Sequence, residues 1–252
     1  MTKLEAKGIE RYYEHGGYRL KALDGVSLSA GDGDFVCIVG PSGCGKSTFL
    51  RVLAGFDEPD AGEVLLDGKQ VRGTGPERIM VFQEGALFPW LKVKDNVEFG
   101  LKMAGIPPDE RGLISGRYLD MMRLSEFAGS YTYQLSTGMR QRVAIARALA
   151  MDPDVLLMDE PFAALDAQTK DLLLEEMQHI WQRTKKTILF VTHNVAEAAV
   201  LGTKVAVFSN RPSRVKKEVV IDAPRPRHGG DAGLAAVQRE ILAELRPPEG
   251  PQ

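Results

Sequence analysis

Gly40-Pro41-Ser42-Gly43-Cys44-Gly45-Lys46-Ser47-Thr48 decides the reading of this chain. In front of it, Asp34-Phe35-Val36-Cys37-Ile38-Val39 is short and apolar, as a buried strand is. Behind it, Ser47-Thr48-Phe49-Leu50-Arg51-Val52-Leu53 opens a helix. A G-x-x-x-x-G-K-[ST] spacing between a strand and a helix has a physical use. The glycines let successive backbone N–H groups curl round phosphate oxygens, and the helix N-terminus adds its partial positive charge. Lys46 is then expected to bridge the β- and γ-phosphates, and the Ser47 hydroxyl to ligate Mg²⁺. An ordinary Gly-rich turn before a helix is the bland alternative, and the strand in front argues against it. The chain is expected to bind a nucleoside triphosphate.

The rest of the 252-residue chain is compatible with that. Hydrophobic residues make up 44% and charged ones 26%, enough apolar surface for a substantial core. A net charge of −2 offers no basic stripe, so no nucleic-acid partner is expected. The two cysteines, Cys37 and Cys44, fall in the strand and the loop, where neither a disulfide nor a metal cluster is indicated. A reducing cytoplasmic setting follows. Met1-Thr2-Lys3-Leu4-Glu5 does not read as a secretory leader, and no apolar run approaches the ~20 residues that span a bilayer.

Strand-like and helix-like segments alternate along the chain. Leu4 to Tyr13, Leu20 to Leu28, Gly62 to Gly68 and Ile79 to Gln83 read as β. Val93 to Met103, Ser115 to Phe127 and Ser136 to Ala150 read as helices. Strands return at Val155 to Met158, Thr187 to Thr192 and Lys204 to Phe208, with a helix from about Ala167 to Arg183. This order predicts an α/β fold with a mostly parallel sheet, into which a helical block from about 85 to 151 is inserted. Ala223-Pro224-Arg225-Pro226-Arg227-His228-Gly229-Gly230 reads as a linker. Leu234, Val237, Ile241, Leu242 and Leu245 then share one face of a short helix, and 246–252 reads as disordered.

Val155-Leu156-Leu157-Met158-Asp159-Glu160 is an apolar strand ending in two carboxylates. Alone this is a strand running into a solvated turn. Downstream of a phosphate loop it predicts Asp159 on Mg²⁺, and Glu160 as general base or orienter of the attacking water. Leu135-Ser136-Thr137-Gly138-Met139-Arg140-Gln141-Arg142 offers a second helix N-terminus, with the Ser136 hydroxyl and backbone N–H groups available to an anion. In isolation it would be a serine-capped amphipathic helix.

Together these segments resemble the ATP-binding-cassette (ABC) ATPases over roughly residues 4 to 222. Leu135 to Arg142 is similar to their signature sequence. The resemblance implies a phosphate-loop (RecA-like) core, a small antiparallel β subdomain and an inserted α-helical subdomain. It implies an ATPase domain over 1–222, followed by a linker, amphipathic helix and tail over 223–252. It places Tyr13 at adenine, with Tyr12 the lesser claimant, Gln83 as a sensor of the γ-phosphate and Mg²⁺, Ala164-Leu165-Asp166 along a dimer interface, and His193 on the γ-phosphate. The phosphate-loop residues Gly40 to Thr48, with Ser136 and Gly138, would bind ATP. Glu160, His193, Gln83 and Lys46 would be catalytic; Ser47, Gln83 and Asp159 would hold the metal.

Phe82-Gln83-Glu84-Gly85-Ala86-Leu87-Phe88-Pro89-Trp90 and Pro161-Phe162-Ala163-Ala164-Leu165-Asp166 are similar, more narrowly, to the importer ATPases for nitrate, sulfonates and taurine. Related importers of pyrimidine precursors share much of this wording. The implied protein is a peripheral subunit at the cytoplasmic face of the inner membrane. It would act as an ATP-sandwiched homodimer, or paired with another ABC ATPase, on integral permease subunits and, indirectly, an extracytoplasmic solute-binding protein. A soluble ABC ATPase of DNA repair or translation is the alternative class. Three positions depart from the family's pattern: Thr137 for a signature glycine, Asn194 for the usual Asp, and Ala196. Thr137 is expected to crowd the phosphate or to demand a different backbone angle.

Overall fold

The structure, a computed structural model, describes residues 1–83 and 85–246. In chain order the elements are β1 (Thr2–His15), β2 (Tyr18–Gly31), β3 (Phe35–Val39), α1 (Lys46–Ala54), β4 (Ala61–Leu66), β5 (Lys69–Gln70) and β6 (Arg78–Val81). Three helices follow, α2 (Val93–Met103), α3 (Pro108–Met121) and α4 (Thr137–Ala150). The chain then forms β7 (Val155–Asp159), α5 (Ala167–Thr184), β8 (Thr187–Val191), α6 (Val195–Leu201), β9 (Lys204–Phe208), β10 (Val215–Val220) and α7 (Ala232–Leu245).

Two sheets result. One is antiparallel, in the order β2-β1-β4-β5. The other has the order β10-β9-β3-β8-β7-β6 and is parallel except for the β9–β10 pair. Every residue of β3 and β8 is buried, which is why these strands read as unbroken apolar runs: a parallel sheet is covered on both faces. Strand alternation sorts them. Phe35, Cys37 and Val39, with Ile188 and Phe190, pack with α2 to α7 on one face. Val36 and Ile38, with Leu189 and Val191, pack with α1 and the antiparallel sheet on the other.

Several expectations are corrected. The second inserted helix runs from Pro108, not Ser115: Pro108 sits at its first position, where a missing N–H costs nothing. It stops at Met121, and Ser125–Phe127 is a separate short 3₁₀ turn. β6 ends at Val81, so Gln83 lies in a turn two residues beyond the strand rather than ending it. β10 and α6 carry no expectation from sequence.

At the C-terminal end, 223–230 is a docked strap rather than a linker. Arg227 is 4% exposed, and its guanidinium donates to the carbonyls of Ala199, Gly202, Ile221 and Ala223. Arg225 donates to Val200 and Leu201 and lies 4.4 Å over the Trp181 ring. The two arginines thereby satisfy the open carbonyls at the end of α6. Burial, and the neighbouring Arg227 charge, push the Arg225 guanidinium down to about 10. Leu234 and Ile241 of α7 are buried in the large apolar cluster, with Val237 and Leu245 against it, but Leu242 is 48% exposed and leaves the expected face. Residues 247–252 of the expected tail lie outside the described residues.

Candidate active site

The loops at the carboxyl ends of β3, β6, β7 and β8 converge, as ligand sites do in parallel α/β sheets. The first loop is built by backbone conformations that favour glycine: Gly43 has φ 69° and Gly45 φ 122°. A Cβ on Gly40 would lie 3.0 Å from both Cys44 Sγ and Phe208 Cβ. Ser213 braces the loop from behind, its hydroxyl donating to the Cys44 carbonyl and its N–H donating to Ala22. Cys44 is thus a buried wall of the loop, while Ser42 and Gly43 are exposed. Lys46 is 4% exposed, and its ammonium donates to the carbonyls of Gly40 at 2.9 Å and Pro41 at 3.1 Å. The cation is therefore held over the loop's mouth.

Ser47 donates to Asp159 Oδ1 at 2.9 Å, joining the helix after β3 to the end of β7. Burial raises the Asp159 carboxyl above its ordinary range, an effect the Ser47 hydrogen bond opposes. Glu160 continues the β7–β8 pairing by one bond, its N–H donating to Val191 at 3.0 Å, and then turns with φ 44°. A non-glycine residue held there costs about 1 kcal/mol and marks a place where direction matters more than ease. The turn brings Glu160 Oε2 to 2.9 Å from His193 Nδ1.

Gln83 and Asp159 line one cavity of about 700 Å³, together with Tyr133 and Arg140. Tyr13 reaches the same region from the antiparallel sheet: its hydroxyl is 3.4 Å from Thr48 Oγ1 and 3.2 Å from Asp57 Oδ2. Tyr12 is instead covered by Arg19 at 4.0 Å. Contacts pair Ser47 with Asp159, Glu160 with His193 and Tyr13 with Thr48, and Gln83 shares a cavity with Asp159.

Ser136 and Gly138 stand apart from this set. The Ser136 hydroxyl accepts the Met139 N–H at 3.2 Å and so caps α4. Gly138 is buried against α5; a Cβ there would lie 2.6 Å from Thr169 Cγ2. Thr137 does not demand an unusual backbone angle: neither it nor Gly138 has positive φ, and its exposed hydroxyl accepts from Arg140. Asn194 keeps the role of a capping residue, accepting the Ala196 N–H at 2.9 Å.

Sequence reasoning missed the residues that hold this site. Arg147 of α4 donates to the carbonyls of Gly85 and Ala86, fixing the loop after Gln83. Seven residues separate it from Arg140, two turns on the same helix face, which is the signal that was available. Asp57 carried no signal: it accepts from both Arg51 and Tyr13 only because the chain folds back after Gly55.

The chemistry of the donor set suits a nucleoside triphosphate with a divalent cation. A lysine, a glycine-built loop and the N-terminus of α1 face phosphate; a hydroxyl and a carboxylate supply hard oxygens. Residues 23–163 match the family described as ABC transporter. The chain is 49% identical over 245 residues to an uncharacterized ABC transporter ATP-binding protein of Methanocaldococcus jannaschii, covering 97% of this chain and 92% of that one. It is 47% identical to a nitrate import ATP-binding protein of Synechocystis (88% and 83% covered) and 42% identical to a taurine import ATP-binding protein of Pseudomonas aeruginosa (92% and 88%). Among solved structures it resembles a dimeric ATP-binding cassette in a post-hydrolysis state bound to ADP and Pi, with TM-score 0.78, 32% identity, and 88% of this chain and 100% of that one covered.

The fold is that of an α/β ATPase of the phosphate-loop class. The chain belongs to the ABC transporter ATP-binding proteins, and is an ATP hydrolase whose activity serves transport.

Proposed function

We propose that the chain is the ATP-hydrolysing subunit of an importer for a small solute of the nitrate, sulfonate or taurine kind. The observation that carries this reading is the meeting of Ser47 with Asp159 and of Glu160 with His193 at neighbouring strand ends. The named activities of the nitrate and taurine import relatives support the solute class.

In this reading Gly40 to Thr48 cradle the β- and γ-phosphates, and Lys46 turns from the loop carbonyls to the phosphate oxygens. Ser47 and Asp159, with Gln83, would hold Mg²⁺, which neutralises charge on the phosphates when bound. Glu160 orients and deprotonates the attacking water, and His193 holds Glu160 and the γ-phosphate in line. Positioning and charge stabilisation carry most of the catalysis in phosphoryl transfer. Tyr13 offers its ring to adenine. Ser136 caps α4 and Gly138 packs on α5, and in this reading a second copy or a paired ATPase would receive them across the ATP. The dimeric relative supports that arrangement.

The import reading calls for a membrane partner; no described helix of this chain is itself long and apolar enough to cross a bilayer. The aromatic surface beside Gln83 suits it. Trp90 is 70% exposed and lies tilted against Phe88, and Tyr133 is 71% exposed and stacked on Tyr131 at 5.5 Å. Large exposed aromatics flanking a cavity fit a short apolar helix of a permease at the cytoplasmic face. In this division residues 1–222 form the ATPase unit, and the segment from 223 to 246 is docked on it through Arg227, Leu234 and Ile241.

The test is purification from detergent-solubilised membranes, followed by Mg²⁺-dependent ATP hydrolysis with and without the solute-binding protein. The reading expects a polytopic partner and hydrolysis lost in Lys46→Ala. Co-purifying nucleic acid without a membrane protein would favour the repair or translation class instead.

A further inference from the structure

We propose that Glu197 is a positioning residue for His193, acting through the Thr192 hydroxyl, and that Lys170 ties this arrangement to the helix behind Asp166. The inference rests on the reading that His193 acts on the γ-phosphate.

His193 itself is poorly held. Its side chain is 58% exposed and Glu160 is its hydrogen-bond partner. The direction of the ring therefore depends on the backbone from 192 to 194. That backbone is fixed at one end by the Thr192 N–H donating to Ile38 at 3.1 Å, two residues before the phosphate loop. Across His193 it is fixed by the Thr192 hydroxyl, which accepts the Asn194 N–H at 3.0 Å.

The hydroxyl can do this only if its own proton points elsewhere. Glu197 Oε2 takes that proton at 2.6 Å. An ionised carboxylate only accepts, so it fixes the hydroxyl as donor towards Glu197 and as acceptor from Asn194. Lys170 Nζ lies 3.0 Å from the other oxygen, Oε1. Glu197 is 4% exposed, on a helix whose Ala198, Ala199, Val200 and Leu201 are all buried. An apolar residue would serve packing there at least as well, since a buried ion pair seldom adds net stability. What an apolar residue cannot do is orient the hydroxyl.

Lys170 extends the arrangement. Its N–H donates to the Asp166 carbonyl, and Asp166 caps α5 through Thr169. A shift of the segment at Asp166 therefore reaches the turn at His193 through one side chain and one carboxylate.

The test is steady-state ATP hydrolysis by the purified full chain, with nucleotide affinity and Tm measured on each variant. His193→Ala sets the reference. Thr192→Val and Glu197→Gln should lower kcat about ten- to a hundredfold, the scale of a misplaced catalytic group, while KM stays within about twofold. Thr192→Ser, which keeps the hydroxyl, should restore most of kcat. In the His193→Ala background, Thr192→Val should cost nothing further, because the network acts through the histidine. Lys170→Met should reproduce part of the Glu197→Gln loss, and stands in for it if that variant fails to fold. Wild-type kcat in Thr192→Val and Glu197→Gln overturns the proposal, as does an equal further loss in the double variant. If His193→Ala itself hydrolyses at the wild-type rate, the role of His193 falls and the proposal with it.

Discussion

His193 Nδ1 and Glu160 Oε2 lie 2.9 Å apart, joining the ends of the neighbouring strands β8 and β7. The contact orients the one carboxylate that faces the attacking water in the proposed reaction. Glu160→Gln keeps the hydrogen bond and the shape but removes the base. Nucleotide binding and ATP-driven dimerisation should persist while kcat falls by about 10² or more. Stopped turnover with a stable ATP-bound dimer in light scattering is the expected result; hydrolysis near the wild-type rate would remove Glu160 from this role.

Asp57 links stability to Tyr13, the proposed adenine platform. It accepts two hydrogen bonds from Arg51, both at 2.9 Å, and one from Tyr13. The Arg51 hydrogen bond holds its carboxyl below the ordinary value of 3.8. For an acid with a depressed folded value, the stabilisation is present above 3.8 and lost as pH falls through the lower, folded value. Asp57→Asn should therefore cost about 1 kcal/mol at pH 7, a modest figure because Arg51 is partly open to solvent. Urea melts should show the difference shrinking below pH 4. KM for ATP should rise in Asp57→Ala, where the Tyr13 hydroxyl loses its acceptor outright.

Gly138 has no room for a side chain. Thr169, whose methyl an added Cβ would strike, is held by its hydroxyl on Asp166 at 2.7 Å and cannot turn aside freely. Gly138→Ala should push α4 from α5 and destabilise by about 1–3 kcal/mol. Thr137→Gly, one residue earlier on an exposed position, should cost under about 1 kcal/mol. Comparable melting points for the two variants would contradict this packing.

Trp90 is exposed and separable from the ATP site. Trp90→Ala should leave Tm and the ATPase rate of the isolated chain unchanged, because surface substitutions stay within about 0.5 kcal/mol. Co-purification with the permease, or uptake in reconstituted vesicles, should fall severalfold. Full transport by Trp90→Ala would exclude it from docking.

The sequence by itself determined most of the strands, the phosphate loop, the paired carboxylates after β7 and the histidine after β8. Each is written locally: apolar runs for strands covered on both faces, glycines where the backbone turns round an anion, charges where a strand ends. Four facts were decided only by tertiary structure. Arg225 and Arg227 sit in a stretch composed like a linker, yet they close the end of α6, because carbonyls left open by a helix are invisible in the sequence around the residues that satisfy them. Leu242 has helical spacing with Leu234 and Ile241 but faces solvent, since periodicity gives a face and not its width. Ser136 and Gly138 are local in sequence, but that one caps α4 and the other is wedged against Thr169 of α5 is decided by helix packing. Glu197 looks like any helix carboxylate until Thr192 and Lys170 close on it from other elements, because a hydrogen bond between distant residues is specified by the fold and not by their spacing.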